Sequence, residues 1–148
     1  MKGFTLFEIL LIISIIFFLA ALVLPISLSF YSNQQMQANG QQILQTLRRA
    51  QVKAMAVEAD STFGVYFDNT NKKYILFKGN SYKEIGRDAQ YDEVFELPKT
   101  IMISGLLEVV FSKLEGKPVP IGGDIALTSG GLIQVININE IGRINLGL

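Results

Sequence analysis

Apolar residues fill the chain from Ile9 to Leu24 with one interruption, Ser14, and no charge falls between Ile9 and Leu47. As a helix, the stretch from Phe4 to Leu24 would rise about 31 Å, enough to cross a hydrocarbon core of ~30 Å. Pro25 closes this run, and a proline either ends such a span or kinks a longer helix that continues past it. The next stretch, Ser27 to Thr46, is polar but uncharged, crowded with Gln34, Gln35, Gln37, Gln41, Gln42 and Gln45. Asn39 and Gly40 lower its helix propensity. It reads as a juxtamembrane linker or as more helix, whose neutral amides cost less to bury than charges would. Helical periodicity then becomes clear. Ile43, Leu47, Ala50, Ala54 and Val57 recur at alternating steps of four and three, giving one apolar face for a sheet to cover, with Arg48, Arg49, Lys53 and Glu58 mostly off it. Asp60 and Ser61 should break this helix.

From Ser61 onward the period shifts toward two. Phe63, Val65 and Phe67 alternate with other residues, Asn69 to Lys72 form a turn, and Lys73 to Lys78 return, which predicts a hairpin. Gly79 to Glu93 is a polar, charged loop. Short strands are expected at Val94–Leu97, Thr100–Ile103 and Glu108–Ser112, then a loop at Gly116–Gly123 marked by Pro118 and Pro120. Ile125–Thr128 and Leu132–Ile138 flank Ser129-Gly130-Gly131 as a second hairpin, and Arg143–Leu146 supplies a last strand. One long helix followed by antiparallel strands predicts an α+β fold. The aromatic residues Phe63, Tyr66, Phe67, Tyr74 and Phe77 suit cross-strand packing better than a base-stacking platform.

Composition narrows the chemistry. The chain has 148 residues, a length that suggests one domain, with no Cys and no His. These absences exclude disulfides, the usual zinc sites, the Ser-His-Asp and Cys-His nucleophile arrangements and the commonest general base. No Walker pattern and no Gly-x-Ser-x-Gly elbow is present, and an anchored hydrolase has no motif to support it. Lys plus Arg balance Asp plus Glu, 13 against 13, so net charge gives no case for nucleic acid or an anionic membrane as the main partner.

Glu8 stands at the start of the apolar run, where a carboxylate is costly unless paired, protonated or able to reach the interface. Lys2 is the only basic residue before Arg48, which predicts a cytoplasmic N-terminus. A secretory signal peptide would share that basic start, but the run is long and lacks a convincing Ala-x-Ala-like site.

The start Met1-Lys2-Gly3-Phe4-Thr5-Leu6-Phe7-Glu8-Ile9-Leu10-Leu11 resembles the N-terminus of type IV prepilins and type II secretion pseudopilins. In these a short basic leader ends in Gly, and Phe-Ser/Thr-Leu-x-Glu precedes a long apolar run. The resemblance implies that a prepilin peptidase cuts between Gly3 and Phe4 and N-methylates Phe4. It also implies that Glu8 pairs with the Phe4 amine of a neighbouring subunit, each charge offsetting the other's desolvation. Leader 1–3, membrane and assembly helix 4–25 kinked at Pro25, helix extension 26–60 and β-rich domain 61–148 follow as the expected organisation. The fold implied is pilin-like, a long helix on an antiparallel sheet, and the glutamine-rich stretch would lie in a helical bundle. Leu47-Arg48-Arg49-Ala50-Gln51-x-x-Ala54 and the closing Ile138-x-x-x-Gly142-Arg143-Ile144 resemble the H-type minor pseudopilins and related minor pilins.

The partners so implied are other pilins, the peptidase, an inner-membrane assembly platform and, before assembly, lipid, with the C-terminal domain outside the cytoplasm. No cofactor, metal or catalytic residue is expected. Glu84, Asp88, Asp92, Glu93 and Glu96 form an acidic loop, but Arg87 intrudes and no Ca²⁺-ligand spacing stands out. Gly142-Arg143 brings only one basic residue to any DNA phosphate, which argues against uptake of nucleic acid. The alternative from another class is an unprocessed, single-pass anchored binding domain.

Overall fold

The computed structural model describes residues 5–147, without the side chains of residues 22–29. The chain divides into two units, Met1–Gln34 and Gln35–Leu148. Helix α1 runs from Leu6 to Met55, through Pro25.

In the first unit, Thr5 precedes the helix and its Oγ1 accepts the Glu8 N–H at 3.2 Å. A hydroxyl before the first turn with Glu three residues on is the sequence signature of a capping box, and its Thr5 half satisfies a helix-start donor that has no partner in the ladder. The described apolar side chains here are exposed, among them Phe7, Ile16 and Phe17. Ser14, the one polar residue of the run, closes its hydroxyl onto Leu10 O at 2.8 Å, so it presents no free donor. Among the described residues no helix is long and apolar enough to cross a membrane; the described side chains of the run stop at Ala21, before Leu24.

In the second unit, nine strands form two antiparallel sheets. The first has the order β3-β2-β1-β5-β6, with β1 Phe63–Asp68, β2 Lys73–Lys78, β3 Glu93–Glu96, β5 Glu108–Phe111 and β6 Pro118–Val119. The second has the order β4-β7-β8-β9, with β4 Met102–Gly105, β7 Gly123–Ser129, β8 Leu132–Ile138 and β9 Ile144–Gly147. The expected hairpins are the β1–β2 and β7–β8 pairs. The structure differs from the sequence reading in splitting the strands into two sheets, in placing β6 within the Gly116–Gly123 loop and in shifting the strand expected at Thr100–Ile103 to Met102–Gly105.

Both sheets cover one stripe of α1. Ile43, Leu47, Ala50 and Ala54 are completely buried in a core shared with Phe63, Phe67 and Leu76 of the first sheet and Ile125, Leu127 and Ile136 of the second. Met36 and Leu44 extend the stripe. The helix ends at Met55, short of Asp60, because Val57, Ala59 and Asp60 take left-handed backbone angles. Val57 therefore leaves the predicted stripe and is only half-buried. At Gly40 the helix meets the side chain of buried Gln134 from β8: a Cβ there would lie 2.1 Å from its Oε1. The glycine that lowers helix propensity permits this approach.

Residue Tyr74 is buried between Phe67 and Phe95, stacking on the latter at 5.0 Å. Its hydroxyl has no hydrogen-bond partner; nearby Thr46 donates instead to Gln42 O at 2.9 Å. Burial pushes the Tyr74 phenol above its ordinary value of 10.0, opposed in part by Thr46. A buried hydroxyl without a partner adds little stability, so Tyr74→Phe should be neutral or stabilising, within about 1 kcal/mol. The raised phenol contributes stability that is complete below its ordinary value and is lost as pH climbs above it. Urea unfolding of the full chain in detergent should therefore show the variant's relative advantage growing above pH 10.0.

Candidate functional site

Two places carry the residues singled out by sequence. The first is the start of α1. Gly3 and Phe4 lie outside the described residues, so the structure places Glu8 alone, exposed on the first helical turn. There it complements the positive end of the helix dipole, and its N–H is the donor that the Thr5 cap satisfies. This local role went unnoticed in the sequence, although Thr5-x-x-Glu8 carries its signature.

The second place is the seam between the end of α1 and the loops of the two sheets, where the two weaker motifs meet. Gln51 Nε2 donates to Gly116 O and to Gly142 O, each at 2.8 Å. Gly116 follows β5 of the first sheet and Gly142 precedes β9 of the second, so one amide ties both sheets to the helix. Arg48 Nη2, one turn earlier, donates to Ile144 O at 3.2 Å. Gly142 must be glycine here. Its φ is 85°, and a Cβ would fall 2.4 Å from Gly116 O. The turn closes through Gly142 N–H to Asn139 O at 2.9 Å and Arg143 N–H to Asn139 Oδ1 at 2.7 Å. Gly142 is thus spent on docking, while the Arg143 side chain stays exposed.

The acidic loop is not simply solvated. Asp92 takes both Arg87 guanidinium nitrogens, one at 2.7 Å. That pairing, foremost through its hydrogen bonds, raises the Arg87 pKa further. Arg87 lies 4.3 Å over the Tyr82 ring, and Tyr82 stacks on Tyr66 at 4.5 Å. Together with Ile75, Phe77 and Val110 these rings form a second small core on the outer face of the first sheet. Glu93 pairs with Arg49 at 2.8 Å and Lys53 at 3.6 Å, Asp88 caps Gln90 N–H at 3.1 Å, and Glu84 accepts Asn80 N–H at 3.3 Å. Glu96 stands across from Lys73. These carboxylates point to separate partners, and among the described residues no group of three or more His, Cys, Asp or Glu is placed to hold a metal ion. An open cleft of about 600 Å³ runs beside the Asn139–Arg143 turn, and the only titratable side chain lining it is Glu140.

This arrangement of one helix stripe under two antiparallel sheets recurs in solved structures. The type IV minor pilin FimU of Pseudomonas aeruginosa is 16% identical at a TM-score of 0.59, over 76% of this chain and 92% of that one. The minor pseudopilin EpsH of the type 2 secretion system of Vibrio cholerae is 13% identical at 0.57, over 76% of this chain and 96% of that one. The fold is pilin-like. No protein-family model matches the sequence, and no curated protein matches it.

Removing the amide in Gln51→Leu leaves the two buried carbonyls without their donor and should cost about 2 kcal/mol. Gly142→Ala should cost at least as much, about 2–3 kcal/mol, through left-handed backbone and overlap with Gly116. Both are read as lowered urea midpoints of the full chain in detergent, whereas Arg143→Ala should leave the midpoint unchanged.

Proposed function

We propose that the chain is a minor pilin or pseudopilin, a structural subunit of a type IV-pilus-like filament. One observation carries this reading: the helix that begins with the Thr5–Glu8 capping box also supplies the core stripe of a domain with the fold of FimU and EpsH. The chain's work is then assembly rather than catalysis.

In this reading the run from Phe4 to Leu24 holds the precursor in the inner membrane with its N-terminus in the cytoplasm. Pro25 bends the helix, and the domain stands in the periplasm or outside the cell. Prepilin peptidase cleaves after Gly3 and methylates Phe4. The assembly platform then draws the subunit out of the lipid into the filament, where Glu8 meets the Phe4 amine of a neighbour. Both charges leave water together, so each lowers the other's desolvation cost, and the pair sets the axial register of adjacent helices.

Intact-mass spectrometry of the protein co-expressed with an active prepilin peptidase tests this. The expected product begins at N-methyl-Phe4. A chain that keeps Met1 overturns the reading in favour of an unprocessed anchored binding domain, and a start after Ala20 or Ala21 marks an ordinary secreted protein. Glu8→Gln separates the two roles of Glu8. Glutamine still serves a capping box, so helix and cleavage should persist, while recovery in sheared filaments should drop about tenfold because the ion pair is gone.

A further inference from the structure

The outer faces of the two sheets are finished differently. On the first sheet, Tyr82 and Arg87 fold over Tyr66 and Phe77 and close that face with the protein's own loop. Among the described residues the second sheet has no such cover. Strand register and exposure put two rows across its outer side: Met102, Thr128 and Ile133, then Ser104, Ala126 and Val135. Met102 is 54% and Ile133 67% exposed. An antiparallel sheet with one face in water ordinarily alternates apolar with charged or strongly polar residues. Across its four strands this sheet carries one charge, Asp124, and Asn137 Nδ2 donates to its carboxylate at 2.7 Å.

Each of its edges carries a side chain bonded to the strand backbone. The Asn69 amide pairs with Ile103 on the β4 edge, accepting its N–H at 3.0 Å and donating to its carbonyl at 2.6 Å. Arg48 holds Ile144 O on the β9 edge. Such side chains oppose strand addition where they sit, whereas no side chain among the described residues is folded over the face.

We infer that this face, centred on Ile133, is the lateral contact through which the domain packs against the globular domain of an adjacent subunit. The inference rests on the filament reading above. The lack of charge selects a neutral, apolar-centred partner surface, since a charged one would lose hydration with nothing to pair. Size selects a subunit already held nearby. Strands of four, seven, seven and four residues, at about 4.8 Å spacing and ~3.4 Å per residue, offer roughly 350 Å², less than half of the ~800 Å² per partner in a stable complex. A contact that small persists only when another interaction supplies a high local concentration, as helices joined in a filament do.

The absence of cysteine makes the test clean. Ile133→Cys and, as an equally apolar and fully exposed control on the opposite loop, Ile85→Cys are introduced into the full chain. Each is expressed with a pilus or pseudopilus assembly system and treated with a bis-maleimide, or with an amine-reactive maleimide if the neighbour lacks a thiol. The expected result is an adduct from Ile133→Cys whose second component is identified by mass as a processed pilin-type subunit, with at least about fivefold less from Ile85→Cys. Ile133→Glu should reduce recovery in sheared filaments about fivefold, with N-terminal processing intact and an unchanged melting temperature. Wild-type protein in filaments with no adduct at Ile133, or with equal adducts at both positions, overturns the contact and leaves the filament reading standing. Wild-type protein that keeps Met1 and never enters filaments overturns both.

Discussion

The second unit depends on the burial of a single helix stripe. Its two sheets exchange no strand pairing that would merge them, so what they share is α1: Ile43, Leu47, Ala50 and Ala54, all fully buried beneath both. Apolar burial is strong but undirected, and a stripe alone would let either sheet slide or rotate. Direction comes from the polar residues beside it. Gln51 reaches Gly116 of one sheet and Gly142 of the other, and Arg48 reaches the last strand. One amide with two donors fixes two loops because the turn before β9 carries a glycine where no side chain would fit.

The same logic runs through the remaining surfaces. Asn69 fastens the β1–β2 turn of the first sheet to β4 of the second, linking the sheets where no ladder does. Asp68 closes that turn by accepting from Thr70 N–H, Asn71 N–H and the Asn71 amide, and these bonds, Asn71 foremost, hold its carboxyl below the usual range. The loop after β2 hides an aromatic cluster under the Arg87–Asp92 pair. The outer face of the second sheet has none of these devices. In the proposed filament role this division separates surfaces finished against chance association from one able to pack against a neighbour.

Much of the fold was legible in the residues. The change of period from 3.6 to 2 near Ser61 placed the helix and the strands, and the hairpins stand where the turn residues put them. The misses have particular causes. Tyr74 to Phe77 in β2 is an unbroken apolar run, and such runs mark strands covered on both sides; the cover is the charged loop, whose Tyr82 and Arg87 look solvent-bound in sequence. The end of α1 at Met55 depends on left-handed angles at Val57, Ala59 and Asp60, and of these Val and Ala do not favour them locally. The two-residue β6 exists only because β5 lies beside it.

The sequence by itself determined the apolar run with Glu8 at its start, the amphipathic stripe and the strand periodicity, because each is a pattern among residues close along the chain. It also excluded disulfides and histidine chemistry by composition. Only the tertiary structure decided that the strands form two sheets, that Gln51 joins Gly116 to Gly142, that Gly40 admits Gln134, and which sheet face stays open. Those depend on pairs separated by tens of residues, where one side chain's geometry, not its type, selects the partner.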